Sequence, residues 1–315
     1  MAVSVPSFTV DDERFHPPGS EEQFSDSLYF GGGDGRGCAF YARIGRRENE
    51  GRIEAALGVW LPDGRFLLTF AREADRDEPR CGPLAFECVS PFELWRLHID
   101  GGGRLFEKPE HVATKRDQFE TVAVRGDLRF MAWTEPVGFA SGLTSGVATH
   151  HYEQPGSIAG VLEIGGERIP IAGAGMRDHS WGVRDWQGVP YWRWFGMIAG
   201  PDDFLLVNNV GTADGSEIAG GHLMRDGELQ RVVACTTAAE IDPDLGHLRR
   251  FTAQITDAAG RETTLEGEAV SVAPLRQRRD GRLTIVNETL TRLRWEGREA
   301  IGLSEYLVQS PGEPG

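Results

Sequence analysis

The run Arg177-Asp178-His179-Ser180-Trp181-Gly182-Val183-Arg184-Asp185-Trp186 holds two carboxylates, two guanidiniums, one imidazole and two indoles in ten residues. Tyr191-Trp192-Arg193-Trp194-Phe195 follows closely, so four of the eight tryptophans fall within fourteen residues. Charge set in aromatic surface costs free energy unless it is paired or used. Two chemistries fit. In one, a carboxylic acid sits in a poorly hydrated aromatic pocket, where desolvation raises its pKa and lets it donate a proton. Trp and Tyr faces would then stabilise a developing cation, by up to about 2 kcal/mol per desolvated contact. In the other, Arg and Asp interlock to close the end of a barrel, with Trp packed over the guanidiniums. Asp178 pairs with Arg177 or Arg184 in that arrangement and stays ionised. Asp178 and Asp185 are seven apart, which places them on opposite faces of an unbroken strand. Gly182 permits a bend that would change this parity.

Other patterns carry less. Gly31-Gly32-Gly33-Asp34-Gly35-Arg36-Gly37 has the glycines of a phosphate cradle, but Cys38 to Ile44 reads as a strand and not as the required helix. A hairpin loop is the better reading. His150 and His151 are adjacent, so on a strand they point to opposite faces and do not readily share one ion, though either could act with His179. No zinc-type spacing links Cys38, Cys81, Cys88 and Cys235, and no metal site is expected. No nucleophile elbow is present, and Asp178, His179 and Ser180 are consecutive, which is not the geometry of a nucleophile relay. Glu305 shares a strand face with Leu303 and Leu307, and Glu288 is a second carboxylate of interest; a lone Glu is more often solvated.

Short apolar segments separated by turn residues must position these groups. Leu57 to Leu61 and Phe66 to Phe70 flank Pro62-Asp63-Gly64, which is a strand, a turn and a strand. The same unit recurs around Gly165-Gly166, Arg225 to Glu228, Asp257 to Gly260 and Glu296 to Arg298. Helical periodicity is scarce, so the expected class is all-β, as sandwiches or barrels. Pro155-Gly156 and Gln187 to Pro190 are expected as punctuation. The expected division is into residues 1–185 and 186–315, with a polar arm over the first 25 residues and a frayed end from Ser310.

A formal charge of −15 and a pI near 5.0 argue against nucleic-acid and anionic-lipid partners. No apolar run reaches membrane-spanning length. Met1-Ala2-Val3-Ser4-Val5-Pro6 lacks the basic and apolar regions of a signal peptide. The four cysteines read as reduced, which suits a cytoplasmic protein.

The Arg-Asp-His-Ser-Trp-Gly-x-Arg-Asp-Trp run resembles the hallmark of a bacterial branch related to the carotenoid 1,2-hydratase (hydroxyneurosporene synthase) and AttH-like superfamily. Phe24 to Phe30, Arg43-Ile44-Gly45, Asn49-Glu50-Gly51, Leu61 to Gly64, Val272 to Leu275 and Gly302 to Leu307 extend the resemblance over most of the chain. It implies two lipocalin-like antiparallel barrels and no metal or organic cofactor. It also implies protonation of an alkene in a hydrophobic, isoprenoid-like molecule, followed by hydration, isomerisation or cyclisation, or the reverse dehydration of a tertiary alcohol. On this reading Asp178 is the acid, His179 orients it or relays its proton, and Asp185 is the alternative acid. Trp181, Trp186, Tyr191, Trp192, Trp194 and Glu305 contact the substrate. The rival expectation is a non-catalytic carrier of hydrophobic ligands with structural Asp–Arg pairs.

Overall fold

Gly- and Asp-rich turns cut the chain into strands. The computed structural model describes residues 7–138, 148–243, 246–279 and 281–310; Met1 to Pro6 and residues 311–315 lie outside them. Strand accounts for 69% of the chain and helix for 4%, which is the expected all-β, lipocalin-like class. The first set of strands is β1 (Phe24–Gly33), β2 (Ala39–Arg47), β3 (Arg52–Trp60), β4 (Phe66–Ala74), β5 (Arg80–Cys81), β6 (Leu84–Ser90), β7 (Leu94–Phe106), β8 (Glu120–Ala132), β9 (Val137–Gly138), β10 (His150–Ile164) and β11 (Glu167–Val183). The second is β12 (Tyr191–Gly200), β13 (Asp203–Gly211), β14 (Glu217–Arg225), β15 (Glu228–Ile241), β16 (Leu248–Asp257), β17 (Glu262–Arg279), β18 (Arg282–Trp295) and β19 (Arg298–Ser310).

By internal contacts the chain forms two compact units, Met1–Lys108 with Asp117–Arg184, and Pro109–Arg116 with Asp185–Gly315. In the first, the strand order is β4-β3-β2-β1-β11-β10-β8-β7, and β4 pairs with β7 to close the ring. That seam is short: Phe66, Leu67 and Leu68 against Phe106, Leu105 and Arg104. In the second unit β12 to β19 form a closed eight-stranded barrel. The segment 109–116 is an excursion the sequence does not announce: its single helical turn, α1 (His111–Thr114), packs on β17 of the second unit.

Each unit fills its own interior. Phe30, Phe40, Leu57, Trp95, Leu97 and Phe130 belong to the first core, and Phe195, Val207, Phe251, Ile255, Leu293 and Trp295 to the second. Eight strands leave an interior just wide enough for side chains or one small ligand.

One expected break is wrong. Pro155-Gly156 lies inside β10 and not between elements. The strand tolerates proline because it changes neighbour there, from β9 at Tyr152 and Glu153 to β8 from Gly156 onward. Gly156 is required on packing grounds: a Cβ would come within 2.3 Å of the Met131 carbonyl and 2.6 Å of the Phe130 ring.

Candidate functional site

Strand β11 carries the charged run and sits between β1 and β10 in unbroken register. Alternation therefore sorts the side chains into two sets. Arg177, His179 and Trp181 fall on the core side with Asp26, Leu28, Tyr152 and Gln154. Asp178 and Ser180 fall on the outward side with Ser27, Tyr29, His151 and Glu153. His179 is thus on the opposite face from Asp178 and does not orient it.

The outward set gathers around Asp178. Its cross-strand neighbours are Glu153 on β10 and Tyr29 on β1. The Ser180 hydroxyl donates to Asp178 at 3.5 Å, and Arg184 donates to the Ser180 hydroxyl. His151 Nε2 stands 3.2 Å from a carboxylate oxygen of fully buried Glu153. Although Asp178 keeps a partly exposed edge, burial raises its carboxyl above the ordinary 3.8. His151 opposes that, Glu153 reinforces it, and Arg184 and Arg43 oppose it further. The burial that matters is that of the carboxyl, which protein surrounds. Tyr29 stacks parallel to Tyr41 at 6.3 Å, and Tyr41 packs on Trp60 at 5.9 Å. An aromatic strip thus runs from Asp178 across the outward face of β1, β2 and β3.

The core-side set is an ion cluster closed by the N-terminal arm. A 3-10 turn, Val10–Glu13, brings Glu13 against Arg177, and both are buried. Arg177 donates to Glu13 and Gln154 and lies over the Trp95 and Tyr152 rings at 5.3 and 5.2 Å. Glu13 also accepts from Tyr152 Oη, from Trp95 Nε1 at 2.9 Å and from the Phe92 amide at 3.1 Å. Burial works against its charge, but Arg177 and these donors hold its carboxyl below the ordinary 4.5. Arg177 therefore serves Glu13 and not Asp178, which corrects one half of the interlocked-pair expectation. Beside this pair, Asp26 receives His179 Nε2 at 2.6 Å and His16 Nδ1 at 2.9 Å. Burial disfavours the Asp26 charge, yet His179 and His16 hold its pKa at about 2. Trp181 stacks with His16 at 3.8 Å and with His150 at 5.0 Å. Among the described residues, His16, Asp26 and His179 are the group whose donor atoms converge enough for a metal ion.

The remaining predicted residues belong to the second unit. Asp185 caps a turn, accepting the Gly188 amide at 3.0 Å. Trp186 packs edge-on against Trp192 at 5.3 Å. Trp192 donates its indole N–H to Glu305, whose cross-strand partner is Glu288. Tyr191 donates to Glu217 and carries the Arg193 guanidinium on its ring at 4.1 Å. Trp194 is half-buried and lies over Gly196, where a Cβ would come within 2.4 Å of the indole. A cleft of about 430 Å³ in this unit is lined by Glu110, Asp242, His247, Arg249 and Glu268 among others; its charged lining does not suit an apolar molecule.

Sequence reasoning missed Glu153, His151 and Tyr29 as neighbours of Asp178, and Glu13, His16 and Asp26 as partners of the core-side set. The alternation of Phe24 to Phe30 does separate Tyr29 from Leu28 and Phe30. Nothing in the sequence announces that β1 pairs with β11.

Fold and site together define a tandem-barrel β protein with a desolvated carboxyl cluster on one strand face. The chain belongs to the family described as a domain of unknown function (DUF7064), whose model matches residues 9–310. No curated protein matches its sequence significantly. Solved structures similar to it include a candidate AttH from Nitrosomonas europaea, at 13% identity, 98% of each chain and a TM-score of 0.65. Kievitone hydratase from Nectria haematococca is similar at 10% identity, 98% of this chain, 94% of that one and a TM-score of 0.62. CghA with Sch210972 is similar at 12% identity, 91% and 89% coverage and a TM-score of 0.59. At these identities the likeness is one of fold.

Proposed function

We propose that this protein is an acid/base enzyme, a hydratase, dehydratase, isomerase or cyclase, that protonates an alkene carbon or a tertiary hydroxyl of a hydrophobic, isoprenoid-like small molecule. The observation that carries the reading is the Asp178 carboxyl: surrounded by protein, raised above its ordinary pKa and paired across the strand with Glu153. A carboxyl kept neutral longer than usual is a proton donor, and a neighbouring His–carboxylate pair can return the proton. In this scheme Asp178 gives its proton to an alkene carbon, or to a tertiary hydroxyl that leaves as water, and the Tyr29 and Tyr41 rings face the resulting cation. The cation is quenched by adding water or by losing an adjacent proton, and His151 with Glu153 takes the proton so released and returns it to Asp178. The similarity in fold to kievitone hydratase supports the class of reaction. The carrier reading has less support, because the interiors in which a lipocalin-type carrier would hold its ligand are occupied by the two cores.

The test is incubation with apolar polyenes and tertiary alcohols in deuterium oxide, with product analysis by mass spectrometry. Polyenes are expected to be converted with deuterium fixed at carbon, and tertiary alcohols with loss of one water. Asp178→Asn is expected to lower turnover by at least ~10²-fold with an unchanged thermal midpoint. Binding without conversion would favour the carrier.

A further inference from the structure

The core-side cluster is not used by the acid/base scheme, and its donor set has a use of its own. His16 Nδ1, one Asp26 carboxylate oxygen and His179 Nε2 all lie within 4.8 Å of one another. Two imidazole nitrogens and a carboxylate oxygen are a donor set that first-row transition ions accept, with ligand bonds of about 2.0–2.2 Å for zinc. We propose that His16, Asp26 and His179 bind one divalent transition-metal ion, for which zinc is the reference probe, and that the ion staples the N-terminal arm to β1 and β11.

Three features beyond proximity support this. First, the outer shell is already in place. His179 Nδ1 lies 2.7 Å from the Asp12 backbone oxygen, and His16 Nε2 lies 3.2 Å from an Asp12 carboxylate oxygen. A backbone carbonyl only accepts, so His179 donates from Nδ1. Its Nε2, which donates to Asp26 at 2.6 Å, would exchange that proton for a bound ion and ligate through the freed lone pair. A ligating histidine characteristically donates its other N–H to a carbonyl or carboxylate in this way. Second, the charges close. Asp12 and Asp26 bring two negative charges to two imidazoles. Two added protons would balance them, and so would one dication on neutral rings, which spares the cluster two adjacent imidazolium charges. The neighbouring Glu13 and Arg177 neutralise each other and do not disturb this count. Third, there is a way in. The His16 side chain is 18% exposed while Asp26 and His179 are buried, so the arm side is open to an ion and to the water that would complete its coordination. The gain would be mechanical: the ion links His16 to strand positions 10 and 163 residues away in sequence, and metal binding free energy becomes stability of the folded arm.

The test uses the whole protein, stripped with chelator and titrated with zinc by calorimetry, and with cobalt for its visible ligand-field bands. One equivalent per chain and a higher thermal midpoint with zinc are expected. His16→Ala, in the arm and outside the core, should weaken zinc by more than the roughly 10–100-fold that losing an outer-shell partner costs, and Asp12→Asn should fall within that range. His98→Ala, at an exposed site, should bind as the parent does. Failure to bind a stoichiometric ion, or equal affinity in a folded His16→Ala protein, would overturn the proposal and leave the group as a proton-held ion cluster. Neither outcome depends on turnover, so it is separable from the role of Asp178.

Discussion

At the level of single residues, neighbours on one strand have opposite fates. Asp178 and His179 are consecutive, yet one carboxyl faces outward and the other ring faces the core. Their parity was readable from the sequence; which partners each would meet was not. Those come from β10 on one side and, on the other, from β1 and the N-terminal arm, with Asp26 153 residues from His179, in a register that burial sets. The Glu13–Arg177 pair gives a sharp test of the core-side cluster. Glu13→Gln keeps the volume but leaves a fully buried guanidinium without its counter-charge, at a cost of about 3–5 kcal/mol, measurable by chemical denaturation. The pH dependence follows from the direction of each shift. Glu13 is held below 4.5, so its contribution to stability is complete above pH 4.5 and is lost as pH falls through the lower folded value. The stability gap between parent and Glu13→Gln should therefore close in acid. Asp178, held above 3.8, works the other way: its contribution is complete below pH 3.8 and is lost as pH rises through the raised value.

At the level of elements, the hairpins were the legible part. Pro62-Asp63-Gly64, Gly165-Gly166 and Asp226-Gly227 each join the strands their turn chemistry implies. Pro155-Gly156 misled, because a proline at a change of strand neighbour leaves the same signature as a loop. The pairing of β1 with β11 was invisible, since register between distant strands is set by burial and not by local propensity. Gly182 is a position in β11 that requires glycine, although the register runs through it without the bend that would have changed parity. Its φ is +121°, and a Cβ there would lie 2.2 Å from Thr149 Oγ1 and 2.6 Å from the Thr149 amide nitrogen. Gly182→Ala should destabilise the first unit by about 1–3 kcal/mol, read as a lower denaturation midpoint; an unchanged midpoint would show that β11 does not need glycine here.

For the molecule as a whole, composition and turn spacing reached the fold class because a short β-turn-β unit repeats along the chain. They did not reach the excursion of residues 109–116, four of which form the helical turn packed on β17. Far-UV circular dichroism should be strand-dominated, with helix far below the roughly one-third of an ordinary globular protein. The two separately packed cores explain how one strand face can be given over to charge: with Trp95, Phe130 and their neighbours filling the first interior, β11 keeps a stable backbone while its outward side holds Asp178, Glu153 and His151 together.

The central claim is that Asp178 is a carboxyl tuned to give up a proton, and it can be tested before any substrate is found. Carbon NMR of protein labelled at aspartate carboxyls, with the Asp178 signal assigned by its loss in Asp178→Asn, gives the titration directly. The predicted midpoint lies above 3.8 and moves down in Glu153→Gln, where the neighbouring carboxylate is gone. A midpoint at or below 3.8 would make Asp178 an ordinary ionised partner of Arg184 and Arg43 and would contradict the account.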